Sequence, residues 1–461
     1  MLKELTKIKA FCAEKDVKMV DFKMTDLTGR WRHLTIPVER FTDMTLLSGI
    51  GFDGSNYGFA PIEKSDMVFI PDINTAYIDP FMKITTLTMI GDVFTICVPD
   101  NKRFDQDPRN VAKNAENYLS ASGIADKIMI SPEFEFYVFD EVNYALKAKD
   151  SYYKIKGYDM PHESGYHAAP PLDVLCDLRS KIAVLMEERD IKVKYHHHEV
   201  GGAGQLEVEV ERGGLCEMAD KTMMTKYIIK NCALEEGKTA TFMPKPIFGE
   251  AGNGLHVHIQ LFKKNKPVFY DEKGYSGLSK EAHYFIGGIL NHIASLCAFT
   301  NPSTNSYRRL IPGFEAPVTA GYATSNRSAV IRIPAYAKDP SEKRFELRSP
   351  DGTCNPYYAY AAILMAGLDG IKKKMDPEKA GYGPYDVNLF NLSKEEQAKI
   401  KKLPRKLGES LDALERDNKY LTEGGVFPEK LIEIWIEKKR KELDQYNSLP
   451  HPVEFSLYYD L

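Results

Sequence analysis

Residues 128–139 read I-M-I-S-P-E-F-E-F-Y-V-F, and this run sets the frame for the rest of the chain. It is rich in Ile, Phe, Tyr and Val, as strands are. Two glutamates interrupt it at alternate positions, Glu133 and Glu135. Strand side chains alternate faces, so both carboxylates point to one side, and Phe134 and Phe136 point to the other, into an apolar layer. Two anions on one strand face repel. They are tolerated where water screens them or where something positive sits between them, and for this run alone a solvated face is the simpler reading.

Other stretches repeat the pattern. Residues 205–211, Q-L-E-V-E-V-E, put Glu207, Glu209 and Glu211 on one face. Residues 255–261, L-H-V-H-I-Q-L, do the same with His256 and His258, and 344–348, R-F-E-L-R, with Arg344, Glu346 and Arg348. Residues 196–199 add H-H-H-E. A half-buried sheet curled around a polar funnel presents all of these inward. Carboxylates with an occasional imidazole suit hard divalent ions such as Mg2+ or Mn2+, whereas zinc favours Cys and His. Arginines beside them suit a phosphate or carboxylate. Metal, arginine and acid without a covalent nucleophile point to phosphoryl transfer by positioning and charge neutralisation. Spacing alone reaches a divalent-metal enzyme acting on an anion. Glu209 and Glu211 read equally well as a solvated rim. The loop G-E-A-G-N-G (249–254) is no Walker A, since no G-K-[ST] follows and it opens a strand.

Length and composition fit this reading. The 461 residues suffice for two or three domains, and 27% charged with 43% hydrophobic residues is an ordinary globular balance. A net charge of −4 gives no general pull toward nucleic acid or an anionic membrane. Seven scattered cysteines, an odd number without a CxxC pair, read as reduced core residues of a cytoplasmic protein. The N-terminus M-L-K-E-L-T-K lacks an apolar signal core. The longest apolar run, at 359–368, falls short of the about 20 residues that cross a bilayer.

The patterning predicts an α+β chain. A helix over 2–14, strands at 17–23 and 31–37, a short helix near 38–47, a loop at 51–59 and strands at 67–70, 84–89 and 93–98 form a small unit. The polar segment 99–108 ends it, giving domains 1–104 and 105–461. Asp107-Pro108 then opens a helix. Strand 127–139 follows, then a surface loop over 147–167, a helix from Pro170-Pro171, and strands 193–199 and 205–211. A helix at 215–234, strand 255–262, a helix at 280–299 and a loop at 301–317 come next. Strands at 329–333 and 344–347 precede helices at 355–374, 393–416 and 428–446.

Nearly the whole chain resembles the glutamine synthetase family, of the bacterial type I class. The resemblance runs through F-D-G-S (52–55) with S-D-M (65–67), D-P-R (107–109), P-E-F-E-F (132–136) and H-H-E-V-x-x-A-G-Q-x-E (197–207). It continues with K-T-A-T-F-M-P-K-P (238–246), R-L-I-P-G-F-E-A-P-V (309–318), N-R-S-A-V-I-R-I-P (326–334) and A-G-L-D-G-I (366–371). It implies an N-terminal β-grasp domain and a catalytic domain with a curved antiparallel sheet flanked by helices. It also implies two stacked six-membered rings with each active site between neighbouring subunits. One metal is placed on Glu135, Glu199 and Glu207, the second on Glu133, His256 and Glu346. ATP would phosphorylate the side-chain carboxylate of L-glutamate, and ammonia would attack the acyl phosphate. The resemblance makes Asp53 the group that takes a proton from ammonium in the adjacent subunit's site, and Glu315 the flap residue that excludes water. Arg309, Arg348 and Gly252 match substrate contacts, and His258, Arg327 and Arg332 match nucleotide contacts, with Arg332 also catalytic. The tail 450–459 resembles a strap that docks into the facing ring.

The chain departs from the family pattern at several positions. Ala251-Gly252 stands for Asn-Gly, Gln260 for Ser, Lys194 for an acidic residue, Ser341 for Lys and Asn56 for Ser. Phe390 lacks the hydroxyl that some members adenylylate, so that control is expected to be absent. No arginine that would read feedback glutamine stands near Ala60-Pro61. Ala251 and the segment 147–167 leave room for a second reading, a γ-glutamyl ligase for amines or polyamines. A third reading is a non-catalytic relative kept for assembly, which loss of a metal ligand would favour; every position of the metal set is filled.

Overall fold

The computed structural model describes residues 2–58, 65–97, 100–160, 164–314, 316–387, 395 and 400–461, with residues 2–5 described by backbone alone. Helix Leu2–Glu14 lays Ile8 and Cys12 on a small mixed sheet. Its strands are β1 (Met19–Thr25), β2 (Trp31–Pro37), β3 (Ile50–Asp53), β4 (Asp66–Pro71), β5 (Tyr77–Ile78), β6 (Thr86–Thr95) and β7 (Lys102–Arg103). The order is β2-β1-β6-β4-β3, with β1 and β6 parallel. Val20, Phe22, Phe69, Leu87 and Met89 fill its core. Two details differ from the sequence expectation. The runs at 84–89 and 93–98 belong to one strand, β6, which passes Gly91 without a break; a Cβ there would meet the Ile70 carbonyl at 2.3 Å. The expected loop at 51–59 begins as β3, paired to β4 with Phe52 opposite Met67, because its glycines hide the alternation.

The larger sheet contains β8 (Lys127–Phe139), β11 (Val193–His198), β12 (Gln205–Val210), β14 (Leu255–Lys263), β16 (Thr319–Thr324), β17 (Ala329–Ile333) and β18 (Phe345–Leu347). The order is β11-β12-β8-β14-β18-β17-β16. All neighbours run antiparallel except β16 and β17, which are parallel. Short strands β13 (Thr239–Thr241) and β15 (Lys266–Pro267) extend it. The expected surface loop at 147–167 is in part a hairpin, β9 (Glu141–Lys147) on β10 (Asp150–Lys156). Its side chains are mostly exposed on both faces, so no apolar alternation marks it.

Helices Pro108–Ser122, Cys176–Glu187, Leu215–Glu235 and Pro356–Lys373 contribute to the core that contains the sheet's apolar side chains. The second begins at Cys176, not at Pro170-Pro171. The last is buried from Pro356 to Gly370 and crosses helix Lys280–Asn291 where glycines let backbones touch. A Cβ on Gly288 would lie 2.2 Å from the Ala366 carbonyl, which explains the small residues of A-G-L-D-G. The expected helix 280–299 breaks at His292 into Lys280–Asn291 and Ile293–Thr300, bent by 76°. Of the expected helix 393–416, Leu407–Arg416 is seen; residues 393–394 and 396–399 lie outside the described residues. No single helix among the described residues is long and apolar enough to cross a membrane. All seven cysteines are free.

Arg109, from the first turn of Pro108–Ser122, ties the small sheet to helix Leu215–Glu235. Its guanidinium reaches Asp72 at 2.9 Å and Asp92 at 3.2 Å beside β4 and β6, and Asp220 on helix Leu215–Glu235 at 2.8 Å.

Candidate active site

Strand register turns the alternate polar residues into rows. His197 pairs with Glu207 and Glu207 with Glu135. Tyr195 pairs with Glu209, Glu209 with Glu133, and Glu133 with His256. His258 pairs with Ser131 on one side and Glu346 on the other, and Glu346 with Arg332. Directly opposite side chains on one face sit about 5 Å apart, so each row is a line of interacting polar groups.

The contacts confirm that geometry. His256 Nδ1 lies 2.9 Å from Glu133 Oε2 and 3.5 Å from Glu346 Oε1, and its Nε2 lies 3.5 Å from Glu135 Oε1. Glu135 Oε2 accepts from the Gly254 amide at 2.6 Å. Glu346 is fully buried between Arg348, at 2.6 Å, and Arg332, which it also bonds. Arg309 is anchored by the carbonyls of Arg348, Ser349 and Pro350. A Cβ at Gly252 would come 2.8 Å from the Arg309 side chain, so only glycine lets the loop and the arginine approach this closely.

Charge crowding is uneven. Burial, then Glu133, Glu135 and Glu199, push the Glu207 carboxyl well above its ordinary range. Burial also works against ionised Glu133, but His258 and His256 overcome it and hold that carboxyl well below its ordinary range. Burial opposes ionisation of Glu346 as well, and Arg348 outweighs it. Burial lowers the Arg309 and His197 values, and it brings Lys245, whose ammonium sits 3.6 Å over the Phe314 ring, down to about 8. Acids that crowd until one resists ionisation make a site that a cation would relieve.

A cavity of about 200 Å3 opens over the rows. It gathers Glu133, Glu135, Glu199, Glu207, Gly252, His256, Arg309, Arg327, Arg332 and Arg348 from the sequence expectation. Glu346 and His258 lie in the sheet but do not line it. Asp53 ends β3 in the small sheet and also does not line it; its carboxylate accepts from the Ser55 amide at 2.9 Å and Asn56 Nδ2 at 2.9 Å. Glu315, Phe390 and Ala60-Pro61 lie outside the described residues. The sequence reading did not foresee Tyr166, His167, Tyr195, Gln205, Phe314 and Tyr336 in the lining, and it foresaw His197 only as part of a histidine run. Tyr166 stacks on His167 with centroids 4.1 Å apart, and His167 meets His197 at 4.4 Å. Their segment has no periodicity, and its place beside the H-H-E motif comes from the bond of the His167 amide to the His198 carbonyl, which the sequence does not mark. Glu209 is buried rather than a solvated rim, because β11 covers that edge, whereas Glu211 is exposed as expected.

The family model of the glutamine synthetase catalytic domain matches residues 105–458, and that of the glutamine synthetase β-grasp domain matches 16–96. The chain belongs to the glutamine synthetase family. It is 45% identical to a glutamine synthetase of Streptomyces filamentosus over the full length of both chains. It is 44% identical to that of Mycobacterium tuberculosis, covering 97% of each chain, and 43% identical to that of Aquifex aeolicus, again covering 97% of each. Among solved structures, Plasmodium falciparum glutamine synthetase superposes with a TM-score of 0.87 at 32% identity, covering 97% of this chain and 96% of that one. Ligand-free GmaS gives a TM-score of 0.82 at 27% identity, covering 98% and 99%. Members of the glutamine synthetase family use ATP and a divalent metal, and among the described residues the acid–imidazole rows hold the groups able to bind one.

Proposed function

We propose that the chain joins ammonia to the side-chain carboxylate of L-glutamate at the expense of ATP, through a γ-glutamyl phosphate, giving L-glutamine, ADP and phosphate. The observation that carries this reading is the convergence of Glu133, Glu135, Glu199 and Glu207 with Arg309, Arg332 and Arg348 on one cavity.

The donor set fits hard divalent ions: carboxylate oxygens and imidazole, with an acid, Glu207, whose pKa burial and its neighbours raise. Glu135, Glu199 and Glu207 would hold one Mg2+ or Mn2+, and Glu133, His256 and Glu346 a second. When bound, the ions supply charge neutralisation for the ATP phosphates. Arg348 carries a buried Nε with no partner among the described residues, a donor poised for an anion. With Arg309 and the Gly252 backbone it would grip the amino-acid end of glutamate. Arg332, with Arg327 on the nucleotide side, would stabilise the charge that develops on the transferring phosphoryl group, and His258, behind the cavity, would act on the nucleotide side through Glu133, which it meets at 2.7 Å. Phosphorylation is needed because a carboxylate is a poor acyl donor. Glu315 on its flap would keep water from the acyl phosphate.

Asp53 would act in the site of a neighbouring copy. The Ser55 side chain and amide lower its pKa, so it stands ionised at neutral pH and can attract ammonium and take its proton. That role requires a homo-oligomer, and two stacked hexameric rings with the C-terminal helix Pro452–Tyr458 as strap are the arrangement we favour. Val453, Phe455 and Leu457 are exposed on that helix, as a docking segment requires. We retain 1–104 and 105–461 as the domains, and a cytoplasmic location on the strength of the unpaired cysteines.

The test is phosphate release by the purified protein with ATP, glutamate and Mg2+ or Mn2+, with ammonium and then with ethylamine or putrescine. Release with ammonium supports the reading. Release only with an amine would replace it by the amine ligase, and no release with any acceptor by a non-catalytic relative.

A further inference from the structure

Among the described residues, three groups of carboxylate and imidazole atoms lie close enough to share a cation: Glu133–His256–Glu346, His197–Glu199–Glu207 and Glu133–Glu209–His258. The first two reach the cavity. The third sits behind it, since neither Glu209 nor His258 lines the cavity and they are only 2% and 1% exposed. A side chain has already entered that third group. Lys194 Nζ donates to Glu209 Oε1 at 2.7 Å and to Ser131 Oγ at 3.2 Å.

Simple alternation would not put Lys194 there. Tyr195 and His197 face inward opposite Glu209 and Glu207, so Lys194 should point away. The register of β11 on β12 shifts between Val193 and Tyr195. Such a bulge lets consecutive residues share a face and re-aims a side chain. Both Lys194 and the Tyr195 hydroxyl consequently reach Glu209. Lys194 is also one of the positions where the sequence departs from the family pattern, a cation standing for an acid.

We propose that Lys194 is a built-in cation whose ammonium takes the place of a divalent ion at Glu133–Glu209–His258, leaving this chain with two exchangeable ions per site. The proposal rests on the two-ion reading above. The ammonium bonds Glu209 Oε1, the oxygen that lies 3.9 Å from His258 Nε2, and it is tethered, so no concentration of free ion is required to fill the position. Arg344, with Nε 3.4 Å from His258 Nδ1, adds a second positive charge beside the same group. A divalent ion there would face both. The arginines on Glu346 differ, because Arg332 and Arg348 line the cavity, where an anionic substrate can draw them away. Lys194 does not line that cavity and opens instead onto a shallow outer depression with Val184 and Tyr195. Its ammonium keeps one of its three N–H groups for solvent.

The test counts Mn2+ per chain from the free-ion electron paramagnetic resonance signal, on full-length assembled protein without nucleotide. Wild type is expected to hold two ions, Lys194→Gln three, and Lys194→Gln with Glu209→Gln two again. Lys194→Arg keeps the positive charge and should stay at two. Three ions on wild type, or only two on a folded Lys194→Gln, overturns the proposal. If Lys194→Gln does not assemble, wild type and Lys194→Arg decide: two ions on each supports the proposal, and three on either overturns it. Glutamine formation on the same samples separates the readings. An active wild type with three ions overturns the role of Lys194 alone; an inactive one holding no ion overturns the proposed function and this inference with it.

Discussion

Asp107→Asn should make the protein more stable in mild alkali and change it far less in mild acid. Asp107 precedes the helix Pro108–Ser122 but does not cap it through its side chain. Its Oδ2 instead accepts from the Val93 amide of β6 at 3.3 Å, at 2% exposure. Burial, then the neighbouring Asp92, raise its pKa to about 7, against the help of the Val93 amide, Arg103 and Arg109. An acid whose folded pKa lies above its unfolded value of 3.8 favours the fold when protonated. Its ionisation costs stability progressively between those two values, and the cost levels off above the folded pKa. Linkage gives a cost of about 1.7 kcal/mol at pH 5 and about 4.3 kcal/mol at pH 8. Asparagine can still accept from Val93 and does not ionise. The difference between the two proteins should therefore move by about 2.6 kcal/mol in favour of the variant between pH 5 and pH 8. At about 2.1 cal/mol/K per residue, that is a melting-temperature difference of about 3 °C. Differential scanning calorimetry of both proteins at the two pH values measures it, and all other titrating groups are shared. An unchanged difference across that range, or a variant that loses ground at pH 8, would show that Asp107 is not held protonated by its burial.

Four further outcomes are expected. Glu346→Gln removes a fully buried carboxylate from a row that also holds His258 and Arg332, and should lower glutamine formation by about 100-fold or more; phosphate release measures it, and near-normal turnover would contradict the site. Gly252→Ala forces a Cβ against Arg309 and the Pro244 carbonyl and should raise the KM for glutamate more than the KM for ATP, which steady-state kinetics resolves. Arg109→Met leaves Asp72, Asp92 and Asp220 without their shared partner and should cost about 3–5 kcal/mol, seen as earlier proteolytic release of the small sheet. Burial pulls the pKa of His292 down, but Asp369 and Asp417, each at 2.8 Å, raise it above its ordinary value overall. Its contribution is therefore complete below the unfolded histidine pKa and lost as pH rises through the folded one, so His292→Gln should flatten the fall of the urea midpoint across that window.

Much of the fold and site follows from alternation. The run 127–139 is β8 to the residue, and Glu133, Glu135, Glu207, His256 and Glu346 lie on the side the period of two assigns. Alternation fails where both faces of a strand are wet, as in the hairpin β9–β10, and where small residues carry no apolar mark, as in T-A-G-Y-A-T of β16. It also fails where a residue's neighbours come from far along the chain. Tyr166 and His167 line the cavity because residue 167 donates its amide to the His198 carbonyl at 3.0 Å, a pairing that no local pattern announces.

Sharing a face is weaker than sharing a row, and the site depends on rows. Period two says that Glu133 and Glu209 point the same way; only register says that they stand opposite one another. Register depends on the connections between strands. Glu199 N bonds the Gln205 carbonyl at 2.8 Å, and Gln205 N the Gly201 carbonyl at 3.0 Å, closing the turn that aligns β11 with β12. The Gln205 carboxamide then donates to Gly252 and Asn253, fixing the loop that delivers β14 to β8. Gln205 thus holds both turns in place from the acidic face of β12, two residues before Glu207, where it lines the cavity. The bulge at Val193–Tyr195 breaks the same rule in the opposite direction. There one shift of register brings in Lys194, a charge that alternation places outside, and it lies in the row whose acids would otherwise be closest to needing another ion.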